Sequence, residues 1–150
     1  MRLNLLLSPF ALILFSCEAM TSLEPPIIET ITVTTPESSG ESWDDSVNKT
    51  IIWTNTGTIT NVRIKLYRST SSDGTYTYHQ DIDYSEYNDG SYNWIIQSSL
   101  ASSSYYYKIR VEDSSDASIY GESYYFTIGC VLEYDSCGVC GGSGIPDGAC

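Results

Sequence analysis

The stretch Lys49-Thr-Ile-Ile-Trp-Thr-Asn-Thr-Gly-Thr-Ile-Thr-Asn-Val-Arg-Ile-Lys-Leu-Tyr67 decides the fold of this chain. On either side of a turn at Gly57, apolar side chains fall at every second position: Ile51, Trp53, Val62, Ile64 and Leu66. Successive side chains of a strand point to opposite faces, so each half of the stretch predicts a strand with one buried face. Most of these apolar residues are β-branched or aromatic, which favours a half-covered sheet.

The same alternation recurs along the chain and predicts an all-β fold, an Ig/fibronectin-III-like antiparallel β-sandwich of about seven strands at residues 29–129. Turn-rich segments separate the strands, which we place at residues 29–34, 49–54, 61–68, 76–83, 91–96, 105–113 and 123–128. Alternation predicts the buried core, with Trp43 and Leu100 at its ends: Ile31, Val33, Ile51, Trp53, Val62, Ile64, Leu66, Ile82, Tyr92, Trp94, Ile96, Tyr107, Ile109, Val111, Phe126 and Ile128. Tyr107 is placed like the corner tyrosine of Ig-like folds, so we expect its hydroxyl to tie down a connection.

Length and composition leave room for one domain of about 100 residues with short appendages. The 150 residues are 41% hydrophobic and include 13 tyrosines, a composition typical of β-sheet. The formal net charge is −12, and it becomes −13 if Arg2 is removed with a leader (−12 − 1). Such acidity argues against nucleic-acid binding, which depends on basic side chains that neutralise phosphates.

Residues 1–16 predict a signal peptide, because one positive charge precedes an apolar run too short to span a bilayer, which needs about 20 residues. The run Leu14-Phe-Ser-Cys17 resembles the bacterial lipobox. This resemblance implies an exported lipoprotein, anchored by a lipid on Cys17 in the outer membrane or at the cell surface. Residues 17–28 would then be the lipidated cysteine and a tether. An ordinary signal peptide with a leftover cysteine, or an uncleaved anchor, stays open.

The core positions of residues 29–129 also carry a resemblance to a known family. The matching pattern is Ile31-x-Val33, Pro36, Gly40, Trp43, Ile51-x-Trp53, Asn61-Val62-x-Ile64-x-Leu66-Tyr67, Ile82, Gly90-x-Tyr92-x-Trp94-x-Ile96, Leu100, Tyr107-x-Ile109-x-Val111 and Ser123-x-x-Phe126-x-Ile128. It resembles the Ig-like domain of yeast cell-wall synthesis proteins and Ser/Thr-rich GPI-anchored fungal proteins, which also occurs in bacterial secreted proteins. The resemblance implies an Ig-like module at a cell wall or cell surface. It transfers no ligand, because the matching residues are core positions.

Residues 130–150 form a separate glycine-rich tail with the cysteine spacing Cys130-x6-Cys137-x2-Cys140-x9-Cys150. The tail is similar to Cys-Gly-Val-Cys-Gly-Gly repeats of secreted marine bacterial proteins and to a Cys-rich segment of secreted metalloproteases. In an exported chain, four cysteines predict two disulfides, and the three possible connectivities stay open. A zinc site would need thiolates in two closely spaced pairs, and a redox site a thioredoxin-like βαβ context. We therefore expect neither a metal nor a cofactor.

One group of side chains is a candidate binding face. Of the six basic residues after the leader, four share the outward parity of two strands that an Ig-like order makes neighbours, and three tyrosines share that parity: Arg63, Lys65, Lys108 and Arg110, with Tyr67, Tyr106 and Tyr125. Cations and aromatic rings suit an anionic glycan or a partner protein. The competing interpretation is that Asp81 and Asp83 pair with Arg63 and Lys65 across the sheet.

These patterns predict a non-catalytic cell-surface module for adhesion, or for binding a glycan or a protein outside the cytoplasm. Its expected partners are the membrane, through the lipid on Cys17, and a cell-wall or extracellular glycan or surface protein. A structural spacer, or a fragment of a larger secreted protein, is the first alternative. A small hydrolase is the second, although His79 has no spacing relation to a nucleophile.

Overall fold

The computed structural model describes residues 26–135 and 137–142, so the expected signal peptide, Cys17 and Cys150 lie outside the described residues. Within this part the chain forms nine strands and one short 3-10 helix: β1 Thr30–Val33, β2 Glu41–Asp44, β3 Asn48–Thr56, β4 Asn61–Ser69, β5 Thr77–Tyr87, β6 Ser91–Ile95, the 3-10 helix Ser98–Leu100, β7 Tyr106–Asp113, β8 Tyr120–Glu122 and β9 Phe126–Gly129.

The strands form two sheets that enclose one core. A three-stranded sheet has the order β1-β3-β6, and a six-stranded sheet has the order β2-β9-β7-β4-β5 with β8 added beside β7. Neighbouring strands are antiparallel except β2 and β9, which run parallel. The expected all-β, Ig-like sandwich is confirmed.

The buried face of each strand follows the predicted alternation closely. Every predicted core residue is buried except Ile82 and Tyr92, which are partly buried and pack against the core. Ile82 lies on β5, the last strand of its sheet, where no second neighbour covers it. Ile59 and Ala101 belong to the core although alternation does not mark them, because they lie outside the strands.

Two strands, β2 and β8, were not predicted. β2 has only four residues, of which Trp43 alone is buried, with its ring centroid 4.3 Å from that of Phe126. β8 has three residues and no buried side chain. It depends on Gly121, where an added Cβ would lie 2.5 Å from the carbonyl oxygen of Ile31. Both strands are too short for a period to be visible in the sequence.

The corner tyrosine is where the sequence predicts it. The buried Tyr107 hydroxyl donates a hydrogen bond to the carbonyl of Leu100 at 2.7 Å, which fixes the 3-10 helix against β7. Burial raises the pKa of Tyr107 to about 12, because the ionised phenolate would lose its hydration. This hydroxyl therefore stays a donor through the neutral range.

The tail contains the disulfide Cys130–Cys140, with Cα atoms 5.5 Å apart, and Cys137 is also disulfide-bonded. The observed pair removes the connectivities that join Cys130 to another partner. A side-chain oxygen of Asp135 accepts hydrogen bonds from the amides of Cys137 and Val139, at 2.9 and 2.8 Å. The tail is thus a small turn closed by a crosslink, consistent with an oxidising compartment.

Candidate binding face

The structure brings the four predicted cations together on the outer face of the six-stranded sheet. β4 and β7 are direct neighbours, and their register places Lys65 opposite Arg110 and Tyr67 opposite Lys108. Arg63 lies two residues before Lys65 on β4, opposite Glu112. The strand pairing that the candidate face requires is therefore present.

Glu112 changes the electrostatics of this face. Its carboxylate is 2% exposed and lies between Lys65, whose Nζ contacts one oxygen, and Arg110, whose Nε is 3.3 Å from the other. Like charges directly opposite each other on a sheet repel. The Glu112 carboxylate therefore offsets the repulsion between Lys65 and Arg110. Glu112 has the same parity as Lys108 and Arg110, and that signal was available in the sequence.

The two remaining cations also have acidic neighbours. Arg63 pairs with Asp81 on β5 at 3.3 Å, and Lys108 lies 4.0 Å from Glu122 on β8. The interpretation of cross-sheet pairing is right for Arg63 and wrong for Lys65, whose partner is Glu112 rather than Asp83.

Bulges in β5 explain why Asp83 is not available. The register puts Lys65 opposite Asp81 and Ile64 opposite Asp83, so two consecutive residues of β4 face two residues of β5 that are two apart. Asp83 is therefore on the side of Ile64, and its Oδ1 accepts a hydrogen bond from the amide of Ser85 at 2.8 Å. Strict alternation therefore does not predict which residues of β5 face which residues of β4, because the register is irregular.

Tyrosine rings cover much of the same outer surface, which we call the tyrosine face: Tyr67, Tyr76, Tyr78, Tyr84, Tyr106, Tyr120 and Tyr125. Two pairs meet edge to face, Tyr67 with Tyr78 at 6.0 Å between centroids and Tyr106 with Tyr125 at 5.7 Å. The cations lie among the rings, with the Arg110 guanidinium 3.4 Å from the centroid of Tyr120. Such contacts fix the ring orientations and make the face a preformed surface.

Two phenols of this face have a raised pKa. Burial raises the pKa of Tyr76, and the hydrogen bond that Tyr78 donates to Asp81 at 2.7 Å raises the pKa of Tyr78. The tyrosine face therefore presents rings and hydroxyls that both donate and accept. Sequence reasoning missed four of its members. Tyr76 immediately precedes the irregular β5, Tyr78 and Tyr84 lie on it, and Tyr120 lies on β8.

Two other groups with candidate chemistry lie among the described residues. His79 lies on β5, and burial, then the charge of Arg68, lowers its pKa. Asp45, Cys130 and Cys140 form the one group there with metal-ligand character, but its two cysteines are joined in a disulfide and offer no thiolate. No described helix is long and apolar enough to cross a membrane.

Two packed sheets, antiparallel apart from the β2–β9 pair, with a corner tyrosine and a preformed aromatic outer face, define an Ig-like surface module. The Kre9/KNH-like N-terminal Ig-like domain matches residues 35–128, from just after β1 to the penultimate residue of β9, and the chain belongs to this family. The family is associated with the cell wall, so the chain is a cell-wall-associated surface module. No curated protein and no solved structure matches the chain.

Proposed function

We propose that this protein is an exported, non-catalytic module that binds a neutral glycan through the tyrosine face. The observation that carries the proposal is a set of seven tyrosines on or next to one sheet, whose intervening cations already have carboxylate neighbours. Aromatic rings offer a sugar an apolar surface, and their hydroxyls offer hydrogen bonds to its hydroxyls.

The ion pairs favour a neutral ligand over the anionic one that the sequence suggested. Four cations on this face stand beside Asp81, Glu112 and Glu122, and the side chains of Lys65 and Arg110 are only 15% and 18% exposed. An incoming anion would have to compete with Glu112 for both of them. A neutral saccharide would leave the pairs intact, so its binding has no such cost.

Affinity electrophoresis of the protein through gels that contain a neutral or an anionic polysaccharide tests this proposal. We expect retardation in the neutral gel, unchanged between about 0.1 and about 1 M salt, because screening acts on charges and not on stacking. Tyr78→Ala, which removes a ring that is 51% exposed, should weaken retardation about tenfold. Tyr134→Ala is the matched control, since Tyr134 is 38% exposed and lies in the tail and not on the tyrosine face.

Equal effects of the two tyrosine variants would contradict the use of this face. Retardation only in the anionic gel, lost at high salt, would restore the charged-ligand interpretation. Screens against polysaccharides and surface proteins that are both empty would favour a structural spacer.

Attachment to the membrane through Cys17 is part of the same proposal and rests on the Leu14-Phe-Ser-Cys17 run. Several acyl chains would hold the module more firmly than one chain does. Cys17→Ala should release the mature protein into the aqueous fraction of a detergent phase separation. Retention of a cleaved Cys17→Ala variant in the detergent phase would contradict the lipid anchor.

A further inference from the structure

The turn that follows β2 contains a buried carboxylate that lacks a full set of donors. Asp45 is 3% exposed, and the next residue, Ser46, has φ of 60°, a left-handed conformation that the surrounding contacts must hold in place. One oxygen, Oδ1, accepts a hydrogen bond from the amide of Val131 at 2.7 Å. This bond ties the start of the tail to the sandwich.

The second oxygen of Asp45, Oδ2, has a sulfur atom as its neighbour. It lies 3.3 Å from Sγ of Cys140, and this sulfur has no proton to donate because Cys140 is bonded to Cys130. The four ion pairs among the described residues do not include Asp45. A buried carboxylate oxygen without a donor is costly, so Oδ2 is a place where a ligand's donor would be strongly favoured.

Asp45 lines a cleft between the sandwich and the tail that has a volume of about 450 Å³. The rim includes the hydroxyl residues Ser46 and Ser98 and the aliphatic side chains of Val131 and Leu132, which are 59% and 64% exposed. No aromatic residue lines it, in contrast to the tyrosine face. The cleft thus joins a buried anion to an apolar wall.

We propose that this cleft binds the side chain of a lysine on a partner protein. The ammonium group would donate to Asp45 Oδ2 and to the serine hydroxyls, while the four-carbon stem would cover Val131 and Leu132. The net charge of −12 would draw a basic partner toward the module. An aliphatic wall suits the lysine stem better than a sugar ring, so the site is separate from the proposed glycan face.

The probe for this proposal is N-acetyl-lysine N-methylamide, titrated into the disulfide-intact protein while amide shifts are followed by NMR. We expect saturable shifts at Val131 and Gly141, and none with the ε-acetylated compound, which has lost the charge. Asp45→Asn keeps the shape but not the charge, and should weaken binding at least about tenfold. Identical shifts with both compounds, or full binding by a folded Asp45→Asn variant, would overturn the proposal.

A second pair of variants keeps the test decisive if Asp45→Asn does not fold. Leu132→Ser removes an exposed part of the wall and should weaken binding severalfold. Val139→Ser removes a side chain that is 55% exposed on the same tail but does not line the cleft, and should leave binding unchanged. Equal behaviour of these two variants would show that the lysine analogue does not occupy the cleft. None of these residues belongs to the tyrosine face, so failure here leaves the glycan proposal standing.

Discussion

The sandwich and the tail of this protein are stabilised in opposite ways. Residues 29–129 contain no cysteine and depend on a continuous core of buried apolar side chains. The tail exposes Val131, Leu132 and Val139 and is closed by the Cys130–Cys140 disulfide. A segment this short cannot bury enough apolar surface to offset its conformational entropy, so it needs a covalent constraint. Substitutions in the core and in the disulfide should therefore lower the free energy of unfolding of the sandwich by very different amounts.

The largest effect should come from the centre of the core. Trp53 is 2% exposed, and its Nε1 donates to Asn88 at 2.7 Å, so Trp53→Ala should lower the free energy of unfolding by roughly 3–5 kcal/mol. Ile52 is its neighbour on the opposite face and is 44% exposed, so Ile52→Ala should cost less than about 0.5 kcal/mol. Urea unfolding followed by fluorescence compares the two. Equal costs would contradict the inside–outside assignment of β3.

The next effect concerns the charged pair that Glu112 holds together. Glu112→Gln would leave Lys65 and Arg110 opposite each other without a counter-charge, and should cost roughly 2–3 kcal/mol, less than a fully buried pair because both cations are partly exposed. Glu122→Gln is the control, since Glu122 is 38% exposed and lies 4.0 Å from Lys108, so it should cost less than about 0.5 kcal/mol. The same urea titration measures both. If Glu112→Gln left the free energy of unfolding unchanged, the two cations would have found other partners.

A smaller effect is expected at the corner tyrosine. Tyr107→Phe leaves the carbonyl of Leu100 without its donor and should cost about 1–2 kcal/mol at neutral pH. Because the folded-state pKa of Tyr107 is about 12, against an ordinary value of 10.0, the unfolded chain loses this proton first. The stabilisation is therefore complete below pH 10.0 and is lost as pH rises toward about 12.

Thermal unfolding of the wild type and Tyr107→Phe at several alkaline pH values tests this expectation. The gap between their melting temperatures should narrow above pH 10.0, while Ile52→Ala, which removes no ionisable group, should show no such trend. A gap that is constant with pH would contradict the assignment.

The smallest effect on the sandwich should come from the crosslink itself. Cys130→Ser with Cys140→Ser opens a loop that lies wholly within the tail, so the sandwich should lose less than about 0.5 kcal/mol. The amides of the tail should instead exchange their hydrogens faster, that of Val139 among them, because the disulfide no longer limits local opening. A large drop in the melting temperature of the sandwich would show that the tail is part of the domain.

The sequence predicts the parts of the molecule that depend on regular alternation. The alternation of Ile51, Trp53 and the other apolar residues predicts the core. The parity of Lys65 and Arg110 predicts a shared face, because β4 and β7 pair without interruption. A four-residue strand such as β2 has one buried residue and therefore no period. Local pattern cannot indicate the bulges of β5, which depend on how that strand fits β4 across the whole pair.

The role of Asp45 is invisible in the sequence for a different reason. It is one of many acidic residues, and only the return of the chain at Val131, far away in sequence, gives it a partner and buries it. Contacts of this range arise from topology and not from neighbouring residues. The same holds for the pairing of Cys130 with Cys140, which spacing alone left open among three connectivities.

The parallel pairing of β2 with β9 has a mechanical consequence. β2 lies toward the amino end of the module and β9 lies at its carboxyl end, and the two run side by side from Glu41 and Phe126 to Asp44 and Gly129. A pull applied at Glu41 and at Gly129 would slide these strands past each other, so that the hydrogen bonds between them share the load. The amide of Asp45, which donates to the carbonyl of Gly129 at 3.0 Å, extends that row. The parallel pairing thus places these hydrogen bonds in shear when β2 and β9 are pulled in opposite directions.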